Sequence, residues 1–335
     1  MAQFQFSEGT ERFIKPNAVF QNKNSAWPSR LFVISSFLIN NIFLPGLFII
    51  MIFSGCEKNI SIPQPAYNTT VSIECGLQVG DTPVLYIYKT IPYFSSSTSL
   101  GELFARGAII TIRSSLANDS LTLDSTFNYL RCEYEFFYKG KMTVEAGQSY
   151  RLKIIYKGFT YTASTTTNLQ PVKIDSIGYT DAFKDIYGEH EGVMPYFHDI
   201  PNQLNYYRYE MKRTVDTSMT FNASKIISHC IGKDSVAVLE EGRSVYNDLN
   251  VDGGQIRLVI EPAFSHKAGS VGWISIQTID QYTYRFFDQL DRQKLTQMNP
   301  FVEPVFLSDG QFGSKAVGYF GTVAKSEPVK FVFQD

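Results

Sequence analysis

Residues 149–164, with the sequence SYRLKIIYKGFTYTAS, decide the fold class of this chain. Apolar and aromatic side chains recur at every second position of the first half, and Arg151 and Lys153 stand between them. This period of two is typical of a β-strand with one buried face. Lys157-Gly158 supplies a two-residue turn, and the alternation resumes after it. The stretch therefore predicts a β-hairpin.

Short strand-like runs separated by turn residues continue on both sides of this hairpin. β-branched and aromatic residues dominate the runs, and Gly, Asn, Asp and Pro fall between them. The strands predicted in the first part of the chain are 69–77, 83–89, 108–114, 120–124, 129–137, 141–144, 149–156 and 159–164. Because such spacing is typical of a β-sandwich, we expect an immunoglobulin-like or transthyretin-like sandwich domain at residues 69–170.

A break in the pattern predicts a second, tandem β-rich domain at residues 171–335. Its predicted strands are 192–198, 205–212, 235–239, 255–260, 272–279, 316–320 and 329–333. One α-helix is predicted at residues 280–294, because Asp280 is a suitable N-cap and aromatic and leucine side chains then share one helical face. The expected fold class is mostly β, with two tandem β-rich domains and one α-helix in the second.

The charge balance excludes one large class of partner. The 335 residues include 30 basic and 32 acidic side chains, which gives a net charge of −2. A nucleic-acid-binding protein usually carries a basic surface, so nucleic acid is not an expected partner. The 27 Phe and 20 Tyr residues indicate a globular chain rather than a disordered one.

Residues 31–53 form an almost uniformly apolar run that follows a basic residue and leads into Ser54-Gly55-Cys56. A positive flank, an apolar core and small residues before a cleavage point are typical of a secretory signal. Phe53 and these three residues resemble the lipobox of bacterial lipoproteins, which implies cleavage before Cys56 and attachment of diacylglycerol to its thiol. We therefore expect a lipoprotein signal peptide at residues 1–55, with an N-terminal extension, and a lipidated cysteine with its tether at residues 56–68.

An uncleaved transmembrane helix is the alternative interpretation of the apolar run, because its 23 residues are long enough to span a bilayer. Asn40, Asn41, Pro45 and Gly46 interrupt the run. Cys56 lies where a lipoprotein signal peptidase would cut. These features favour the lipoprotein interpretation.

The other three cysteines are Cys75, Cys132 and Cys230. Cys75 and Cys132 both fall in predicted strands, and an oxidising compartment would allow a disulfide between them. The alternative is that both are small buried thiols. The pair Cys75–Cys132 is the candidate disulfide, and the sequence leaves both alternatives open.

The segment from Asp248 to Gly253, DLNVDG, reproduces the first half of a calcium-binding loop. Asp248, Asn250 and Asp252 would place alternating oxygen donors around a hard cation. The twelfth position is Val259, where such a loop needs a carboxylate. The alternative is a polar β-turn before the next strand, and both interpretations stay open.

The sequence contains no recognisable catalytic motif. It has no Gly-x-Ser-x-Gly elbow, no glycine-rich phosphate loop and only four histidines. His229 and Cys230 are adjacent, and adjacent residues on a strand point to opposite faces, which makes a poor base and nucleophile. We therefore expect neither enzymatic activity nor a cofactor.

Several short motifs occur in the order found in one known family. They are Cys56-Glu57-Lys58, Gly147-Gln148-Ser149-Tyr150-Arg151-Leu152, Lys157-Gly158-Phe159-Thr160-Tyr161, Pro171-Val172-Lys173-Ile174-Asp175-Ser176-Ile177, Asn205-Tyr206-Tyr207-Arg208, Asn299-Pro300-Phe301 and Gly318-Tyr319-Phe320-Gly321. Together they resemble the Bacteroidota lipoproteins grouped as domain of unknown function 4249, over essentially all of the chain after Cys56. The turn at Ser308-Asp309-Gly310 departs from the family pattern.

The resemblance implies a lipid-anchored outer-membrane protein that faces the cell surface and is often encoded beside TonB-dependent transporters. It supplies no catalytic residues. The expected function is a non-catalytic substrate-binding or accessory lipoprotein, attached to the membrane through Cys56, with a TonB-dependent transporter as partner. A surface adhesin or envelope-structural lipoprotein is the second alternative, and a hydrolase or metal-dependent enzyme is the third.

Overall fold

The computed structural model describes residues 70–91, 99–185, 188–216, 218, 220–221, 224–225, 230, 235–241, 245–297, 305, 307 and 310–334. Within these residues the fold is mostly β and sandwich-like, which confirms the predicted fold class. No helix in the described part of the chain combines the length and the apolar character needed to cross a membrane.

The strands and helices follow one another in a simple order. The first strands are β1 (Val71–Gln78), β2 (Val84–Lys89), β3 (Ile109–Arg113), β4 (Asn118–Asn128), β5 (Glu133–Lys139), β6 (Ser149–Tyr156), β7 (Phe159–Thr166), β8 (Ile174–Asp185) and β9 (Gly188–His198). The later ones are β10 (Tyr206–Val215), β11 (Thr220–Phe221), β12 (Ser224–Lys225), β13 (Val236–Glu241), β14 (Tyr246–Asn247), β15 (Gln255–Arg257), β16 (Val271–Ile279), β17 (Ala316–Lys325) and β18 (Val329–Val332). The helices are α1 (Leu100–Leu103) and α2 (Gln281–Gln297).

The strands of the described residues form one large sheet and two small ones. The large sheet has 13 strands, in the order β13-β10-β16-β17-β1-β2-β5-β4-β3-β6-β7, with β14 paired to β10 and β18 paired to β16. The small sheets are β15-β9-β8 and the pair β11-β12. Because β17 pairs with β1 on one side and with β16 on the other, both predicted domains contribute strands to the large sheet.

The hairpin predicted at residues 149–164 is confirmed as β6 and β7. The turn residues Lys157 and Gly158 have φ of 48° and 81°. Positive φ at both central residues is the signature of the tight hairpin turn whose twist matches that of the strands. Tyr150, Leu152 and Ile154 are buried, while the residues between them are exposed. The alternation of apolar and polar residues in the sequence therefore determines which face of β6 is buried.

The predicted helix at residues 280–294 is confirmed as α2, with Asp280 as its N-cap. One carboxylate oxygen of Asp280 accepts hydrogen bonds from the backbone amides of Tyr282 (2.8 Å) and Thr283 (3.0 Å). Burial raises the pKa of Asp280. Its other oxygen accepts a hydrogen bond from the backbone amide of Thr322. The cap therefore both begins α2 and attaches it to β17.

The strand predicted at residues 141–144 is wrong. This segment has no strand structure, because the backbone amides of Lys141 and Met142 donate to one carboxylate oxygen of the buried Asp119, at 2.5 and 2.8 Å. These backbone amides donate hydrogen bonds to a side chain instead of to the carbonyl groups of a neighbouring strand.

Two main hydrophobic cores lie on either side of the predicted boundary at residues 170/171. The first contains Ile73, Leu85, Ile110 and Leu152, all fully buried, together with Phe320 from β17. The second core is built from residues beyond the boundary, and its fully buried members include Phe197, Tyr207, Met211, Ile274 and Phe333. Each predicted domain thus has its own core, while β17 extends into the first.

β1 and β17 pair in parallel, with Ile73 opposite Gly318. Gly318 has φ of 117°, and a Cβ atom added there would lie 1.8 Å from the carbonyl oxygen of Ile73. A side chain at this position is therefore excluded twice, by the backbone conformation and by the neighbouring strand.

Replacing Gly318 with Ala should destabilise the protein by at least about 3 kcal/mol, because strain at an unfavourable φ adds to a backbone clash. Gly80→Ala is the matched control: Gly80 has φ of 90° but nothing within 4 Å of an added Cβ, so only the strain, about 1–2 kcal/mol, applies. Urea unfolding followed by circular dichroism measures both values. Equal losses of unfolding free energy in the two variants would contradict the close approach of the Ile73 carbonyl to residue 318.

Candidate functional site

Three aspartates from two separate segments meet at one end of β9. Asp199 directly follows β9, and Asp248 and Asp252 lie in the loop between β14 and β15. One carboxylate oxygen of each lies within 4.8 Å of one oxygen of each of the others. Asp199 and Asp248 are buried, at 4% and 2% exposure, whereas Asp252 is exposed. We call these three residues the carboxylate cluster.

The loop from residue 248 to residue 254 holds its shape through backbone turns. The amide of Val251 donates to the carbonyl of Asp248 (2.8 Å), and the amide of Gly254 donates to the carbonyl of Val251 (2.6 Å). Gly253 has φ of 67°, a conformation that glycine adopts without strain. The amide of Asp199 then donates to the carbonyl of Gly254 (2.9 Å). These bonds bring the loop against the end of β9.

Neutral donors surround the two buried carboxylates. Asp199 accepts hydrogen bonds from the Tyr207 hydroxyl (2.5 Å), the Asn205 amide group (3.1 Å) and the Gly253 backbone amide (2.8 Å). One oxygen of Asp248, Oδ2, accepts from the backbone and the side-chain amide of Asn205, at 3.0 and 3.1 Å. Burial, followed by the hydrogen bond to Asp199, raises the pKa of Tyr207. Tyr207 therefore remains a neutral donor at physiological pH.

The sequence pattern identified two of the three clustered residues. Asp248 and Asp252 lie close together, and the third predicted ligand, Asn250, is exposed. Asp199 takes the third place. It lies far away in the sequence and is brought close because His198 pairs with Gln255 across β9 and β15. No local pattern could have indicated that pairing.

A second feature is an open groove of about 630 Å³ over the exposed face of the β6–β7 hairpin. Its lining includes Arg113, Arg151 and Lys153 from the sheet and Tyr282 from the first turn of α2. Arg113 lies directly opposite Arg151 on the neighbouring strand, an arrangement of like charges that is unfavourable by itself. Among the described residues, none of the three cations forms a salt bridge. The groove is thus a concentration of unneutralised positive charge.

The disulfide predicted between Cys75 and Cys132 is wrong. Cys132 is bonded to Cys230, with their Cα atoms 5.5 Å apart, and Cys75 is a free thiol. Cys132 lies in the turn before β5 with φ of 58°, not in a strand. Cys75 is 1% exposed on β1, and burial raises its pKa to about 12. It therefore behaves as an apolar core residue and not as a reactive thiol.

Some predicted features lie outside the described residues. They are the signal peptide at residues 1–55, the lipidated Cys56 with its tether at residues 56–68, and His229. The lipidation of Cys56 therefore stays a prediction.

The fold and these sites define a mostly-β, sandwich-like protein with one long helix, a buried carboxylate cluster and a basic groove. Comparison with known families then gives a specific assignment. The chain belongs to the family described as Domain of unknown function (DUF4249), whose model matches residues 57–328. This confirms the family predicted from the sequence motifs. A search of curated proteins finds no match.

The charge of the groove predicts preferential binding of polyanions, because a cationic cleft concentrates anionic ligands near its surface. The double substitution Arg113→Gln/Arg151→Gln should weaken binding of dextran sulfate at least fivefold, measured by fluorescence anisotropy of the labelled polymer at low salt. Lys173→Gln/Lys330→Gln is the matched control, since it removes the same charge from exposed positions outside the groove lining. Equal losses in both double variants would show that only net charge matters, and uncharged dextran should bind to none of the proteins.

Proposed function

We propose that this protein is a non-catalytic, lipid-anchored outer-membrane protein that binds a ligand at the cell surface as an accessory to a TonB-dependent transporter. The observation that carries the proposal is the sequence Phe53-Ser54-Gly55-Cys56 followed immediately by the family match, which begins at residue 57. A family match that begins at the first residue after a lipobox cysteine fits cleavage before Cys56.

The disulfide between Cys132 and Cys230 supports export of the chain. Disulfides form and persist in the periplasm and at cell surfaces, whereas the cytosol keeps thiols reduced. The bond closes a loop across a sequence separation of 98 residues. A stabilising link of this kind is typical of proteins in an oxidising compartment.

The tether sets how far the folded body can lie from the membrane. Residues 57–68 contain two prolines, and residues 57–70 separate Cys56 from the first strand, β1. Fourteen residues span at most about 50 Å when fully extended. The lipid therefore confines the body to a thin layer next to the membrane, which raises its effective concentration near a membrane-embedded partner.

The basic groove supports ligand binding rather than catalysis. Within the described part of the chain, its lining consists of cationic, hydroxyl, amide and apolar side chains, without a carboxylate or a histidine. General acid–base chemistry near neutral pH relies chiefly on those two groups. An anionic ligand would neutralise Arg113 and Arg151, two like charges that face each other on neighbouring strands and repel one another without it.

Replacing Cys56 with Ala should abolish labelling by [³H]palmitate and release the protein from the membrane fraction. The measurement is autoradiography of the immunoprecipitated full chain after labelling of intact cells. Cys75→Ala is the matched control, because Cys75 is a buried core thiol whose loss leaves the lipobox intact. Labelling that persists in Cys56→Ala would overturn the anchor.

The transporter partner is tested separately. Membranes solubilised in mild detergent and affinity-purified through this protein should yield a β-barrel transporter in a near 1:1 ratio. Absence of a barrel from repeated purifications, with the lipid anchor intact, would favour the alternative of an adhesin or envelope-structural lipoprotein.

A further inference from the structure

We propose that the carboxylate cluster of Asp199, Asp248 and Asp252 is a binding site for a hard divalent cation, with Ca²⁺ as the expected ion. The three carboxylates supply oxygen donors only, and calcium is bound by carboxylate and carbonyl oxygens. Ca²⁺ binds its ligands at about 2.3–2.6 Å, so one ion spans oxygens about 4.6–5.2 Å apart. The oxygens of the cluster lie within 4.8 Å of one another.

A second observation, independent of the clustering, indicates that one carboxylate oxygen of Asp248 lacks a binding partner. Asp248 is 2% exposed, and its Oδ1 atom is buried without a hydrogen-bond partner. Buried polar atoms in folded proteins are almost always paired, and a buried carboxylate oxygen is especially costly to leave unpaired. The other oxygen of Asp248 is held by Asn205. The carboxylate is thus fixed in place with one coordination position free.

The negative charge of the three carboxylates is not balanced by a cationic side chain among the described residues. All the hydrogen-bond donors to the three carboxylates are neutral: Asn205, Tyr207 and the backbone amides of Gly253 and Asn202, the last of which donates to Asp252 (2.8 Å). Among the described residues, no salt bridge involves any of the three aspartates. Carboxylates this close repel one another unless a cation lies between them or one is protonated.

The neutral donors match what surrounds a metal site. Side chains that bind metal ions are usually oriented by further hydrogen bonds, which fix the direction of the free lone pairs. Asn205 performs this role for Asp199 and Asp248 together, because its side-chain amide donates to both. The exposed Asp252 leaves one side open to solvent, so an ion can enter without opening of the core.

A bound ion would join three segments of the chain. These are the end of β9, the start of β10 through Asn205, and the turn that precedes β15. We therefore expect calcium to stabilise the folded state, since a ligand that binds only this state shifts the unfolding equilibrium.

Isothermal titration calorimetry of the full chain, purified in a non-ionic detergent and stripped with EDTA, tests the site. CaCl₂ should bind with a 1:1 stoichiometry and a Kd of about 10⁻³ M or tighter, a range that includes extracellular calcium modules and sensors. Asp248→Asn should weaken binding at least tenfold. Asp124→Asn, at an exposed position on β4, should leave the affinity unchanged. Calcium should also raise the thermal unfolding midpoint of the wild type and of Asp124→Asn but not of Asp248→Asn.

Asp252→Asn provides a second variant in case Asp248→Asn folds poorly, because Asp252 is exposed and its replacement leaves the core intact. It should weaken calcium binding in the same way. A flat calcium titration of the folded wild type would overturn the proposal, as would equal affinities in the wild type and Asp252→Asn. Zinc binding without calcium binding would contradict the assignment of an oxygen-binding hard cation.

Discussion

The parallel pairing of β1 with β17 is the constraint on which the rest of the structure depends. It joins residues 71–78 to residues 316–323, and it requires a glycine at residue 318 because the Ile73 carbonyl occupies the space of a side chain. β17 also pairs with β16, so a single strand continues the sheet from one predicted domain into the other. Contacts between such distant parts of a chain are entropically costly to form, and here they also bring Phe320 into the first core.

The position of the groove follows from the same strand. α2 is attached to β17 through Asp280, which receives the Thr322 amide, and through the rings of Phe286 and Phe287, which pack on Tyr319 at 5.4 and 5.5 Å. This attachment places the first turn of α2 at the groove, next to the exposed face of the β6–β7 hairpin. The sheet thus provides the cations and the helix provides Tyr282, and neither alone would form a cleft.

Much of the local structure could be predicted because local rules determine it. The hairpin follows from alternation and a two-residue turn, and α2 follows from its N-cap and helical period. The predictions that were wrong depend on contacts between residues far apart in the sequence. The segment 141–144 is hydrogen-bonded to Asp119 instead of to a neighbouring strand, and Cys132 is bonded to Cys230, 98 residues away. Asp199 was not grouped with Asp248 for the same reason, since only the pairing of β9 with β15 brings the two residues together. A sequence indicates which residues have the right chemistry, but strand pairing decides which of them meet.

Two other buried carboxylates in the described part of the protein, Glu240 and Glu210, contrast with the carboxylate cluster. Burial raises the pKa of Glu240, yet Arg213 pairs with it, and that guanidinium also donates to the carbonyls of Phe264 and Ser265. Glu210 likewise forms a salt bridge with Lys325. Each of these buried carboxylates has a cationic partner from the chain itself, as the cost of burying a charge requires. Asp199 and Asp248 are buried as deeply but have only neutral donors, so the chain has oriented them without neutralising them. The proposed anchoring at the cell surface would expose this site to extracellular fluids, where calcium modules of modest affinity are in common use, and a site that takes its counter-ion from the medium suits the proposed location.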